Sequence, residues 1–70
     1  MDYIIYKKTG WDDKSWYMVG RTHTQAEAVA KADAEVELWR NHGMKAPCHK
    51  VCYNGRTSEE VYRNNGDQNP

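Results

Sequence analysis

Length and charge limit this chain to one small, electrically balanced domain. It has 70 residues, and a domain of that size buries only roughly 60% of its unfolded surface, which leaves little room for a deep catalytic pocket. Ten basic and ten acidic residues give zero formal charge, whereas a dedicated nucleic-acid binder usually carries a positive excess. No apolar run approaches the ~18 residues that cross a bilayer, and residues 1–8 do not resemble a secretory signal. We therefore expect a cytoplasmic protein that makes no membrane contact.

The N-terminal part of the chain predicts an antiparallel β-hairpin. Residues 3–8 and 15–22 are rich in aromatic and β-branched side chains, which favour strands. Residues 9–14 lie between them and contain a glycine and two aspartates, which favour turns. The connection is close to the usual length for such a loop.

The second predicted strand carries large side chains at both alternating positions. Trp16 and Met18 share one face, and Tyr17 and Arg21 share the other. We expect Trp16 and Met18 to pack beneath a helix, which would leave Tyr17 and Arg21 facing outward.

A helix is predicted over residues 25–42. Thr24 and Glu27 match the capping box, in which the threonine hydroxyl accepts a hydrogen bond from the backbone N–H three residues later. The segment is rich in alanine and other strong helix formers, and Gly43 provides a stop. An apolar stripe should cover the sheet, whereas Leu38 projects away from that stripe and is expected to be exposed. The stripe consists of Ala28, Val29, Ala32, Val36 and Trp39.

The C-terminal part predicts one or two further strands. Asn54 and Gly55 form the commonest signature of a two-residue hairpin turn. In that register Lys50 would face Glu59 across the strand pair, which is a favourable opposite-charge contact. The alternative is a short helix over residues 58–63, and we prefer the hairpin.

These elements predict an α+β fold in the order β-β-α-β, with or without a final β-strand. We expect a small antiparallel sheet of three or four strands, with one helix packed on one face and the third strand beside the first. The domain should span residues 1–63. Residues 64–70 offer nothing apolar to bury and should form a flexible tail.

Motifs for catalysis, metal binding and cofactor binding are weak. Cys48 and Cys52 lie four residues apart on a predicted strand, a separation of roughly 13 Å, which is too long for one zinc ion or a disulfide. Asp12 and Asp13 are adjacent in a turn and do not give the facing geometry that paired carboxylates need. The glycines are scattered, so no phosphate-binding loop is formed. We therefore predict a protein that is not an enzyme and has no cofactor or metal.

The function that remains is protein binding. Trp11 at the hairpin tip has no evident route to so small a core, and interface hot spots are enriched in Trp, Tyr and Arg. Leu38 would give the acidic helix one apolar spot. The candidate partner-binding residues are Trp11, Asp12 and Asp13 at the hairpin tip, and Glu35, Glu37 and Leu38 on the helix. We expect an adaptor or inhibitor that occupies a surface on a larger protein, itself a candidate nucleic-acid binder. A phage or mobile-element regulator fits this interpretation.

The alternative is direct nucleic-acid binding by the uncovered face of the sheet, where aromatic rings stack on bases and cations hold phosphates. The candidate residues for this face are Tyr6, Lys8, Tyr17 and Arg21, with Lys7, Tyr53 and Arg56 as further contributors. The zero net charge and the acidic helix weigh against it. A homodimer formed through the same face is a further possibility.

Overall fold

The computed structural model describes residues 2–8, 16–55 and 57–67. Its elements in chain order are β1 (Asp2–Lys8), β2 (Trp16–Thr22), α1 (Gln25–Asn41), β3 (Cys48–Asn54) and β4 (Ser58–Asn64). The strands form one antiparallel sheet in the order β2-β1-β3-β4. The α+β fold is confirmed as β-β-α-β-β, with β3 beside β1 as expected. The segment that could have been a helix at 58–63 belongs to strand β4.

Helix α1 begins at the predicted cap. The Glu27 backbone N–H donates to the Thr24 hydroxyl oxygen at 3.2 Å, and that hydroxyl donates to the Glu27 carboxylate at 2.9 Å. The helix ends at Asn41, one residue before the predicted end. Gly43 then adopts a positive φ of 72° and donates its N–H to the Arg40 carbonyl at 2.9 Å. Glycine takes this conformation without the steric cost that a side chain would add.

The core lies between α1 and the two central strands. Ile5 of β1 and Val51 of β3 face each other across the sheet, and both are fully buried. Ala28 and Ala32 of the helix complete the cluster. Because alanine is small, the helix backbone comes close to the sheet. Burying one isoleucine or valine side chain contributes about 1.5–3 kcal/mol, so Ile5 and Val51 each stabilise the fold on that scale.

A β-bulge in β2 changes which side chains face the helix. Ile5 lies opposite Gly20, but the next residue, Tyr6, lies opposite Met18. Val19 is therefore the extra residue of the bulge, and it packs against the core cluster on the helix side. One inserted residue reverses the alternation along the rest of a strand.

The predicted position of Trp16 and Met18 beneath the helix is wrong for this reason. Both lie on the sheet face opposite α1, which we call the open face, and Met18 is 60% exposed. Tyr17 lies opposite Lys7 on the helix side. Arg21 lies opposite Ile4 on the open face. It lies on the C-terminal side of the bulge, so the change of face affects only the residues before Val19.

The predicted pairing of Lys50 with Glu59 is also wrong. Asn54 pairs with Ser58, so the connection between β3 and β4 is longer than a two-residue turn. A second bulge in β4 shifts the register again, and Lys50 lies opposite Arg63. Bulges therefore occur in both edge strands, β2 and β4. A bulged edge strand is a poorer template for pairing with a strand of another chain.

The residues after β4 are joined to the end of the helix. Arg40 donates from Nε to the Asp67 carboxylate at 3.2 Å, and Asp67 accepts the Ala46 backbone N–H at 2.9 Å. These hydrogen bonds hold the pKa of Asp67 below its usual value, with the Arg40 hydrogen bond as the largest cause. Gly66 has a positive φ of 58°, and a Cβ there would meet the Ala46 carbonyl oxygen at 2.6 Å. The described part of the predicted tail thus contacts the fold.

Candidate functional site

The open face carries aromatic and cationic side chains on neighbouring strands. Cross-strand pairing places Met18, Tyr6, Lys50 and Arg63 in one row that crosses all four strands. Trp16 lies opposite Lys8 in the adjacent row. We call one group of these side chains the Trp16 cluster. It consists of Trp16 from β2, Tyr6 and Lys8 from β1, Lys50 from β3 and Arg63 from β4.

Cations from three strands surround the Trp16 ring. The Lys50 ammonium lies 4.3 Å from the ring centroid, the Arg63 guanidinium 5.3 Å and the Lys8 ammonium 5.8 Å. Trp16 starts on an edge strand and reaches cations of β3 and β4, so its indole extends across the sheet. The Lys50 ammonium also lies 5.7 Å from the Tyr6 ring. Each such cation–π contact stabilises by about 0.5–1 kcal/mol where solvent has access.

The charge of the open face changes along the strands. The Trp16 cluster contributes three cations at the end of the face that contains Lys8. Glu60 accepts a hydrogen bond from Arg63 at 2.6 Å, and both side chains are about two-fifths exposed. Towards the other end, Arg21 lies 3.6 Å from the Asp2 carboxylate. Among the described residues, the end of the face that contains Lys8 therefore carries three cations and Glu60, whereas Asp2 and Arg21 lie towards the other end.

Two buried cysteine thiols of β3 lie on the open face. Cys48, opposite Lys8, and Cys52, opposite Ile4, are free and buried. Burial raises the pKa of the Cys48 thiol, and the opposing charges of Arg63, Lys8 and Lys50 reduce that rise. The same three cations that surround Trp16 therefore act on this thiol, and Glu60 acts in the opposite direction. Among the described residues, no group of three His, Cys, Asp or Glu side chains is arranged to hold a metal ion.

The predicted helix surface presents one apolar side chain beside an acid that already has a partner. Leu38 is 50% exposed, as expected. Glu37 accepts a hydrogen bond from Arg40 at 3.0 Å, and Glu35 is half-buried. The predicted residues of the hairpin tip, which lie outside the described residues, are Trp11, Asp12 and Asp13. Their role in partner binding stays a prediction.

The structure divides the predicted sheet-face residues between two faces. Tyr6, Lys8 and Arg21 lie on the open face, whereas Tyr17 lies on the helix side. Lys7 and Tyr53 are also on the helix side, where Lys7 lies over the Trp39 ring at 5.6 Å and Tyr53 contacts Tyr3 at 5.2 Å between ring centroids. Arg56 is outside the described residues.

Sequence reasoning missed the centre of the Trp16 cluster. Trp16 was assigned to the core, and Lys50 and Arg63 were not chosen as site residues. The signal for Lys50 was its alternation with the two cysteines along β3, which places all three on one face. For Trp16 no such signal existed, since its face depends on the bulge at Val19.

A buried histidine lies on the opposite side of the sheet. His49 is fully buried, and its Nδ1 lies 3.0 Å from the Pro47 carbonyl oxygen, so Nδ1 carries the hydrogen and donates it. Its Nε2 is buried without a hydrogen-bond partner among the described residues. Burial lowers the pKa of His49, and the Pro47 hydrogen bond and Glu35 oppose that shift, while Lys7 adds to it. Burial therefore favours the neutral form of this imidazole.

Comparison with known proteins gives no functional lead. No protein-family model, curated protein or solved structure matches the chain. Within residues 2–8, 16–55 and 57–67, no helix has the length and apolarity needed to cross a membrane. The functional proposal therefore depends on the chemistry of the chain's own residues.

Proposed function

We propose that this chain is a small non-enzymatic protein-binding module, an adaptor or inhibitor that occupies a surface on a larger protein, and that the open face is its contact surface. The observation that carries the proposal is the Trp16 cluster, in which a tryptophan, a tyrosine and an arginine lie together with two lysines. Trp, Tyr and Arg are the residues enriched at interface hot spots. They lie on a face that the helix does not cover.

The edge of the cluster supports the same proposal. Met18 is 60% exposed and lies opposite Tyr6, so it carries the apolar part of the open face to the edge of the sheet. Methionine is unbranched and polarisable, and it adapts to irregular partner surfaces. An apolar side chain that is largely exposed gains free energy when another protein covers it.

The helix surface is the weaker of the two candidate surfaces. Leu38 is exposed there as well, but the neighbouring Glu37 already pairs with Arg40. A partner would have to desolvate an ion pair on either surface, which costs free energy, but on the open face Trp16 and Tyr6 lie beside the pair of Arg63 with Glu60 and add contact area. Leu38 therefore provides a matched control for Met18, because both are large, exposed apolar side chains.

Capture of partners from extract of the native cells tests the proposal. Tagged wild-type protein, Met18→Asp and Leu38→Asp are compared after nuclease treatment, once circular dichroism has shown that each variant is folded. We expect wild type and Leu38→Asp to retain the same discrete protein, and Met18→Asp to lose it by roughly tenfold or more, which corresponds to about 1.4 kcal/mol. Retention by all three variants would contradict the open face as the contact surface.

Direct nucleic-acid binding is the second candidate, because the open face combines aromatic rings with cations. Stacking a base on Trp16 would require the Lys50 ammonium, 4.3 Å from the ring centroid, to move aside. The zero formal charge of the chain also weighs against it. Loss of all captured material after nuclease treatment would favour this candidate, and a doubled mass in solution would point to a homodimer.

A further inference from the structure

We infer that Asn54, on the open face, is a site of spontaneous deamidation, and that the fold protects the second asparagine–glycine pair of the chain. The sequence places glycine directly after Asn54 and directly after Asn65. Glycine has no Cβ, so its backbone nitrogen approaches the preceding side chain with the least steric hindrance. The inference is independent of the proposed function.

The reaction needs water as its only second reactant. The Gly55 backbone nitrogen loses its proton to hydroxide and attacks the side-chain amide carbon of Asn54, which forms a succinimide ring. The C–N bond to the side-chain NH2 group breaks, and ammonia leaves with a proton from water. Water then opens the ring at either of its C–N bonds and gives aspartate or isoaspartate. The net change converts one amide and one water into a carboxylate and an ammonium ion, without an oxidant or a reductant.

The surroundings of Asn54 leave this reaction open. Asn54 is exposed at the last position of β3, and Gly55 lies beyond the strand. The structure shows no hydrogen bond from the Asn54 side chain to another described residue. Its amide carbon can therefore rotate towards the Gly55 nitrogen without breaking such a bond. The end of a strand also opens more readily than its centre.

Asn65 is exposed as well, but both of its reacting groups are held. The Gly66 N–H donates to the Asn64 side-chain oxygen at 2.8 Å, and the Asn65 side-chain oxygen accepts from the Cys48 thiol at 3.3 Å. The Gly66 backbone also packs against Ala46, whose carbonyl oxygen would lie 2.6 Å from a Cβ at Gly66. These contacts keep the proton on the attacking nitrogen and restrict its approach to the amide carbon, and a displacement of about 1 Å can lower a rate roughly 10²-fold.

Deamidation would change the open face. Asn54 lies opposite Asp2 of β1, so the product brings two carboxylates together across the strand pair, and like charges directly opposite are destabilising. Isoaspartate also adds a carbon to the backbone at the position that pairs with Ser58 of β4. The product therefore loosens this end of the sheet.

Peptide mapping of the folded full chain tests the inference. The protein is kept in mildly alkaline buffer and sampled over time, and a zero-time sample corrects for reaction during digestion. Trypsin cleaves after lysine and arginine, so the two asparagines fall in separate peptides, residues 51–56 and 64–70. Mass spectrometry follows the conversion of amide to acid, and isoaspartyl methyltransferase labels isoaspartate. We expect Asn54 to react roughly tenfold or more faster than Asn65. Equal rates, or faster reaction at Asn65, would overturn the inference.

The same chain in guanidinium chloride separates the effect of the fold from that of the local sequence. Unfolding frees both pairs, so the two rates should then agree within about threefold. If Asn54 keeps a tenfold advantage in the unfolded chain, protection of Asn65 by the fold is refuted.

Two variants, each shown by circular dichroism to be folded, assign the site and the cause of protection. Asn64→Ala removes the acceptor of the Gly66 N–H and should raise the Asn65 rate about threefold or more, while the Asn54 rate stays within about twofold. An unchanged Asn65 rate would refute protection by that hydrogen bond. Asn54→Gln should give no acidic form in isoelectric focusing after the incubation that produces one from wild type, because glutamine would have to close a larger ring. An equally strong acidic form from Asn54→Gln would contradict Asn54 as the site.

Discussion

The two faces of this sheet are built from alternate residues of the same strands, yet they carry different chemistry. On the helix side, Ile5 and Val51 are fully buried against alanines of α1. On the open face, the neighbouring residues Tyr6 and Lys50 stand beside Trp16 and remain accessible to solvent. Under the proposed function, the helix side supplies stability and the open face supplies the contact with a partner. Changes on the helix side should therefore alter folding, and changes on the open face should alter binding.

The largest expected effect is the loss of a core side chain. Ile5→Ala leaves a cavity between the sheet and α1 and should lower the free energy of unfolding by about 2–5 kcal/mol. Met18→Ala, on the exposed edge of the open face, should change it by no more than about 0.5 kcal/mol. Urea denaturation of both variants measures the difference. Similar losses would show that the two faces do not divide stability and contact in this way.

The next effect is a pH dependence that originates on the helix side. Burial lowers the pKa of His49 from its ordinary 6.5, so below pH 6.5 the unfolded chain takes up a proton before the folded chain does. Stability from this residue is complete above 6.5 and falls as the pH drops towards the folded pKa. Denaturation curves between pH 7.5 and 5 should show this loss.

Two histidine variants assign that pH dependence. His49→Gln should flatten the curve in this window, whatever its stability at pH 7.5. His23→Gln, which replaces a side chain that is 90% exposed, is the comparison variant. A slope that persists in His49→Gln would place the titrating group elsewhere.

A smaller effect should follow from loss of the helix cap. Thr24→Ala removes the hydroxyl that accepts the Glu27 backbone N–H, which should lower the free energy of unfolding by about 1 kcal/mol. Thr24→Ser keeps an acceptor and should remain within a few tenths of a kcal/mol of wild type. Thermal denaturation of the two variants makes the comparison. Because the helix covers only one face, capture of the partner protein should be unchanged in both.

The smallest effect on stability should come from the Trp16 cluster itself. Lys50→Gln removes the cation nearest the Trp16 ring and should cost no more than about 1 kcal/mol, because the contact is partly exposed. It should nevertheless shift the tryptophan emission, since the charge over the ring is gone. An unchanged emission spectrum together with a large loss of stability would show that Lys50 is structural.

The fold was predictable from sequence where the determinants are local. The cap formed by Thr24 and Glu27, the alanine-rich helix and the β-rich segments each depend on residues close together in the chain. The link between Arg40 and Asp67 joins residues far apart in sequence. No local pattern predicts that pairing, because a charged arginine or aspartate side chain is equally well solvated by water.

The candidate site was only partly predictable, because it depends on a single bulge. The segment from Trp16 to Val19 has large apolar or aromatic side chains at every position, so it lacks the polar–apolar contrast that fixes a strand's faces. Val19 could therefore be the extra residue without any visible change in pattern. Tyr6 and Lys8 belong to β1, which pairs with β3 without a bulge, and Arg21 lies on the C-terminal side of the bulge in β2. Simple alternation therefore predicts the correct face for these three residues.

The most direct test of the account compares two tryptophans on opposite sides of the sheet. Trp16 lies on the open face beside Lys50, and Trp39 lies on the helix side beside Lys7. Their indole N–H signals are followed by ¹H–¹⁵N NMR as the captured partner protein is added, with Trp11→Phe used to identify the remaining signal. The account predicts a saturable shift of the Trp16 signal while the Trp39 signal stays in place. A shift confined to Trp39, or an equal shift of both, would contradict the open face as the binding surface.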